Sequence, residues 1–173
     1  DTNVMGTAHV LNAAVINKAT HWAVAITTDK VYRNVEKLGG YSEDEPLGGK
    51  DPYSASKAGT EMVVSAWQTI ASHGEEKISI ASARAGNVIG GGDTAEDRLI
   101  PDLIRGFHAG GKTIIRNPES IRPWQHVLDP LNGYLTMGSA LIAGRTISRA
   151  FNFGPGEESK LTVAQMADYA CTQ

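Results

Sequence analysis

The run Trp22-Ala23-Val24-Ala25-Ile26-Thr27, closed at once by Thr28-Asp29-Lys30, decides the fold. A short, mostly apolar stretch without polar alternation suits a strand buried on both faces, as in a parallel sheet. Upstream, Val4, Ala8, Leu11 and Val15 recur at steps of four, three and four, which predicts one helical stripe over residues 3–18. Downstream, Asp29 to Lys50 is polar and glycine-rich and reads as a connection. Asp51-Pro52 then reads as a helix cap and first helical position. The helix behind it runs from Tyr53 to about Ser72, with Met62, Ala66, Trp67 and Ile70 as its apolar side.

Strand and helix continue to alternate. Residues 77–83 alternate in polarity and predict another strand. Gly86 to Asp97 reads as loop, Leu99 to Phe107 as helix and Thr113 to Arg116 as a short strand. Asp129-Pro130 repeats the cap-plus-proline start of a helix that ends near Gly144. Ala150 to Phe153 predicts a strand, stopped by Gly154-Pro155. Thr162 with Gln165 fits a capping box at the start of a last helix. The alternation implies an α/β fold with a parallel sheet, and the tail after Gly111 reads as a less regular lobe.

Composition removes several function classes. The 173 residues carry 16 Lys+Arg and 19 Asp+Glu, a net charge of -3, so no basic surplus exists to neutralise a nucleic-acid backbone. No apolar run approaches the length of a membrane span. Cys171 is the only cysteine, which excludes a disulfide scaffold within the chain and fits a reducing, cytoplasmic setting. The five histidines (His9, His21, His73, His108, His126) lack ligand spacing, so no metal site is expected.

Chemistry is carried by Tyr53-Ser54-Ala55-Ser56-Lys57. Tyr-x-x-x-Lys at a helix start puts phenol and ammonium on one face, a single turn apart. A phenol is a poor base at neutral pH, and a neighbouring ammonium favours its phenolate form, which can take a proton from a sugar hydroxyl. Alone the spacing is common, and an exposed tyrosine beside a solvated lysine produces it too. Its context is more specific. Asp29 lies 24 positions earlier, at the carboxyl end of the apolar strand, where ligands bind in open α/β sheets.

Thr2-Asn3-Val4-x-Gly6-Thr7, the strand ending in Thr-Asp-Lys, and Tyr-x-x-x-Lys together resemble the extended short-chain dehydrogenase/reductase family. That family includes NAD-dependent sugar-nucleotide epimerases and dehydratases. Further blocks narrow the resemblance: Thr28-Asp29-Lys30-Val31-Tyr32-x-Asn34, Asp51 to Lys57, Arg84 to Asp93, Ile114 to Pro118 and Ile121 to Leu128. These look like the CDP-glucose 4,6-dehydratases, and the likeness covers nearly the whole chain. It implies a Rossmann-like doubly wound parallel sheet. Residues 1–110 would be a partial catalytic domain. Residues 111–173 would be a partial substrate-binding region interleaved with the last strand and helix of the sheet.

The resemblance also implies roles. Tyr53 would start oxidation at sugar C4, with Lys57 and Thr27 beside it at the NAD cofactor. Thr28 would hydrogen-bond the 4-oxygen. Asp29 and Lys30 would handle loss of water across C5–C6. Many related dehydratases carry Asp-Glu where this chain has Asp29-Lys30, so which of the two is acid and which base stays open. An exposed ion pair at a strand end is the plainer reading of those two residues. Arg84, Asn87, Arg98 and Arg122 are the diphosphate and nucleotide candidates, because arginine's planar fork matches phosphate oxygens. Solvated arginines are the plainer reading there. Gly86 to Gly92 lacks the G-x-G-x-x-G spacing and reads as a substrate loop. His126 reads as structural, and Trp124 either covers a base or packs.

Members of this family begin with a strand, a glycine-rich turn and a helix that holds the NAD diphosphate. No such segment occurs in these residues. The chain therefore reads as roughly the second half of a longer enzyme, inactive and poorly stable alone, and a homodimer at full length through its first two helices. Two other readings compete. One is an epimerase or dehydratase for a UDP- or dTDP-sugar. The other is a catalytically silent nucleotide-binding module, against which the Tyr53, Lys57 and Asp29 set speaks.

Overall fold

The computed structural model describes every residue except 18, 38, 74–77 and 173, and the side chain of Glu157. Lys18 and Lys77, the outer ends of the expected first helix and second strand, lie outside the described residues. The chain divides into two compact units, one of residues 1–85 and 130–153, the other of residues 86–129 and 154–173.

The first unit is built on a three-stranded parallel sheet. Its strands are β1 (Trp22–Ile26), β2 (Ser79–Ala85) and β6 (Ala150–Phe153), in the order β1-β2-β6. The register runs from Trp22 opposite Ser79 to Ile26 opposite Ala83, and from Ser82 opposite Ala150 to Ala85 opposite Phe153. One face is covered by α1 (Thr7–Ile16), which follows a π-helical turn at Thr2–Gly6, and by α2 (Pro52–His73). Leu11, Val64, Ala71, Ile78 and Ile80 form the core there. The other face is covered by α4 (Leu128–Ile142), whose Met137 and Leu141 pack on Ala81 and Ala83. The expected Asp129-Pro130 start falls one residue inside α4. A proline is tolerated in that first turn, because its amides have no helical partner.

Central strand β2 shows the period of two that a strand imposes. Ala81 and Ala83 point to α4, whereas Ile80, Ser82 and Arg84 face α2. Two glycines of α4 seat rings from the two outer strands. A Cβ on Gly133 would lie 2.0 Å from the Phe153 ring, and one on Gly138 would lie 3.5 Å from Trp22.

The buried side of α2 differs from the expected one. Met62 and Ile70 are 61% and 51% exposed, while Ala58, Glu61, Val64, Gln68 and Ala71 are buried. Hydrogen bonds explain the reversal: Gln68 donates to the carbonyls of Ile80 and Arg149, and Glu61 accepts from the sheet. Polar side chains with such partners belong inside; Met62 and Ile70 are left on the surface, while Trp67 still packs against the core.

In the second unit, β3 (Val88–Ile89) pairs in parallel with β5 (Gln125–His126). β4 (Ile121–Pro123) pairs antiparallel with β7 (Lys160–Thr162). Helix α3 (Leu99–His108) packs on α5 (Val163–Cys171), which begins with the expected capping box of Thr162 and Gln165. Thr113–Arg116 forms no strand, contrary to expectation. Trp124 packs rather than lying open: its indole N–H donates to the Leu161 carbonyl at 3.3 Å. His126 has a structural partner, its Nδ1 accepting from the Leu128 amide at 3.2 Å.

Candidate active site

Strand β1 delivers Thr27 and Thr28 to its carboxyl end, where the chain turns through a short 3-10 segment, Asp29–Val31. Thr28 is buried and caps that turn. Its hydroxyl accepts from the Lys30 amide at 3.4 Å and donates to Asp29 Oδ1 at 3.1 Å. Asp29 and Lys30 form a loose ion pair at 3.9 Å, their side chains 36% and 43% exposed. Such a pair contributes little stability and leaves both groups accessible.

Helix α2 packs on this turn, with Val31 and Ala58 in one small core cluster. Asp51 caps α2 as expected: Oδ1 accepts from the amides of Tyr53 and Ser54 at 2.9 and 3.0 Å. The Ser54 hydroxyl, donating at 2.6 Å, is the main reason the Asp51 carboxyl sits below the usual aspartate range. The two amides and the nearby Lys30 ammonium reinforce it. These amides belong to the first turn of α2. Gly49 lies so close to this turn that a Cβ would sit 2.1 Å from the Ala55 nitrogen.

Tyr53 stands in that first turn, half exposed, with Lys57 one turn further on. Lys57 reaches the wall of an open cavity of about 400 Å³ formed by α1, the edge strand β1 and α2. Thr2, Val10, Ala25 and Thr60 also line it, whereas Tyr53, Thr28 and Asp29 do not. The lead-in to α1 is tied to α2. Asn3 donates to Ser56 Oγ at 2.9 Å, and Thr60 donates to the Asn3 carbonyl at 3.0 Å.

Thr27 and Arg84 are buried and turned toward partners inside the first unit. The Thr27 hydroxyl donates inward to Glu61 Oε1. Arg84 is buried; its Nη2 donates to Glu61 Oε2 at 2.8 Å, and its Nη1 to Tyr32 Oη at 2.8 Å and the Glu43 carbonyl at 2.9 Å. Burial alone would lower the guanidinium pKa, but the bonds to Glu61 and Tyr32 outweigh it and raise it. Ser82 donates to the same Glu61 oxygen at 2.9 Å, and Tyr32 donates to Asn152 at 2.6 Å. Burial is the main cause that raises the Tyr32 phenol. Sequence reasoning passed over Glu61, although it follows Lys57 by four positions and faces the Ile80-Ser82-Arg84 side of β2.

The other candidates lie in the second unit. Arg122 is exposed on β4, and the Asn87 carbonyl accepts from the Gln125 amide at 3.3 Å. Arg98 is exposed and pairs with Asp93 at 3.4 Å. No cluster of metal-ligating side chains occurs among the described residues.

A parallel sheet with helices on both faces, one of them packed on the turn after an outer strand, is a Rossmann-like arrangement. The chain belongs to the NAD dependent epimerase/dehydratase family, whose model matches residues 1–154. It is 48% identical over 176 aligned positions to a CDP-glucose 4,6-dehydratase of Salmonella typhimurium, covering 99% of this chain and 49% of that protein. It is 32% identical to a dTDP-glucose 4,6-dehydratase of Streptomyces griseus, over 90% of this chain and 44% of that one. A crystal structure of dTDP-glucose 4,6-dehydratase from Bacillus anthracis in complex with NAD superposes with a TM-score of 0.82. It shares 26% identity and covers 99% of this chain and 52% of that one. The chain thus spans about half the length of the relatives it matches.

Proposed function

We propose that this chain is the Tyr-Lys half of an NAD-dependent sugar-nucleotide 4,6-dehydratase acting on CDP-glucose. The observation that carries the reading is the packing of the Tyr53/Lys57 helix against the Thr28-Asp29-Lys30 turn, in a chain 48% identical to a CDP-glucose dehydratase.

The residues present fit the cofactor. Lys57 brings an ammonium to an open cavity, no ion pair among the described residues ties it up, and Tyr53 stands one turn away. Lys57 and Tyr53 would hold the nicotinamide ribose. Bound NAD supplies the capacity to accept a hydride and return it. The side chains of this chain do the proton work. Tyr53 takes the proton of the sugar 4-hydroxyl, and Thr28 orients the 4-oxygen. Asp29 and Lys30, adjacent and accessible, divide the removal of the C5 proton and the protonation of the departing 6-hydroxyl. An epimerase needs no such pair, which is why dehydration is favoured.

Arg98, Asn87 and Arg122 are proposed as diphosphate and nucleotide contacts. Arg84 and Thr27 are reassigned to the interior. A homodimer is proposed on the apolar stripe that α2 leaves exposed, Met62 and Ile70, together with Val10 of α1. A cytoplasmic setting, and inactivity of these 173 residues without the rest of the enzyme, complete the proposal.

The test is turnover by the longer protein that contains this chain, supplied with NAD. CDP-glucose should give a 4-keto-6-deoxy product, seen by its ultraviolet absorbance in alkali. Turnover of UDP- or dTDP-glucose alone would correct the nucleotide. No turnover of any of the three, with NAD bound, would reject the enzymatic reading.

A further inference from the structure

The two halves of the proposed site sit on different elements, α2 and the end of β1, and one buried carboxylate grips both. Glu61 follows Lys57 by one helical turn and Tyr53 by two, on the same flank of α2. Its side chain is 3% exposed. Oε1 accepts from the hydroxyl of Thr27, the residue before Thr28. Oε2 accepts from Ser82 and Arg84 of β2 at 2.9 and 2.8 Å. An acidic side chain is rarely buried so deeply without need, and here all the bonds run from the sheet to one helix position.

We propose that Glu61 is a positioning residue: through Thr27 it fixes the strand end carrying Thr28 and Asp29 in register with the helix carrying Tyr53 and Lys57, and Arg84 is the charged partner that aims its carboxylate. The proposal rests on the function given above. The carboxylate touches neither substrate nor cofactor. It sets the distance across which the phenol and the strand-end acid share one hexose, so its loss lowers turnover more than affinity.

The experiment uses the longer protein. Removing Glu61 alone strands Arg84 and risks unfolding, so paired replacements are compared. Glu61→Gln/Arg84→Met keeps an amide oxygen for Thr27, and Glu61→Leu/Arg84→Met removes it. Thr27→Val and Thr27→Ser test the other end of the bond. Glu61→Gln/Arg84→Met and Thr27→Ser should retain kcat. Glu61→Leu/Arg84→Met and Thr27→Val should lose about tenfold to a hundredfold in kcat with KM little changed. Adding Thr27→Val to Glu61→Leu/Arg84→Met should cost nothing more, the signature of one shared bond. Equal cost of Thr27→Val in both backgrounds, or unchanged kcat in either bond-breaking variant, would overturn the proposal. Hydrogen exchange gives an arm independent of activity. Amides 28–32 should exchange faster in the two bond-breaking variants than in Glu61→Gln/Arg84→Met. If the parent turns over no sugar nucleotide, the functional reading has failed, and unchanged exchange at 28–32 then rejects the register role as well.

Discussion

The position a Cβ would occupy on Gly49 lies 2.1 Å from the backbone nitrogen of Ala55, two residues beyond Tyr53. The obstacle is helix backbone, which cannot rotate away. Gly49→Ala must push the first turn of α2 off its seat, at a cost of about 1–3 kcal/mol. Denaturant melts should show that loss, and kcat should fall with it, because Tyr53 rides on the displaced turn.

Arg84 and Glu61 form a pair whose side chains are 6% and 3% exposed. Arg84→Met alone leaves a buried carboxylate unpaired and should destabilise by about 3–5 kcal/mol. Glu61→Gln/Arg84→Met removes both charges and should recover most of it. Urea melts of the three proteins measure the difference.

Asp51 ties acid stability to the start of α2. Its native carboxyl titrates below the ordinary value of 3.8, first through the Ser54 hydroxyl and then through the capped amides. A lowered acid pKa adds stability above the unfolded value and loses it as pH falls through the native one. Asp51→Ala should therefore melt lower than the parent at neutral pH. The gap should close once pH drops beneath the native titration, and melts at several pH values would show it.

Tyr53→Phe removes the proposed base without changing the helix. Turnover of CDP-glucose should fall by about 10²–10⁴-fold, with KM nearly constant. Lys57→Met should weaken NAD retention as well as turnover, read by cofactor titration of the longer protein.

Elements carried by local signals were legible in the sequence. Strand β6 matches the expected Ala150–Phe153, the Thr162–Gln165 box opens α5, and Asp51 caps α2. The inner face of α2 was not. Met62 and Ile70 look like core by hydropathy, yet the partners that draw Glu61 and Gln68 inside, Arg84 and the Arg149 carbonyl, lie 23 and 81 positions away. The same remoteness made Arg84 read as a phosphate ligand, since nothing near it in the chain announces Glu61. Strands β4 and β7 are three residues each, too short to show a period. The helix start that carries Tyr53 and Lys57 and the strand end that carries Asp29 were visible because both are local facts.

A glycine notch in α4 acts as a stop. Gly133 meets Phe153 of one outer strand closer than any Cβ could, and Gly138, five positions on, meets Trp22 of the other at ordinary contact distance. A slide of the helix by one residue would drive Asn132 or Tyr134 into the Phe153 ring. Gly133 therefore fixes where α4 sits along the Phe153 ring.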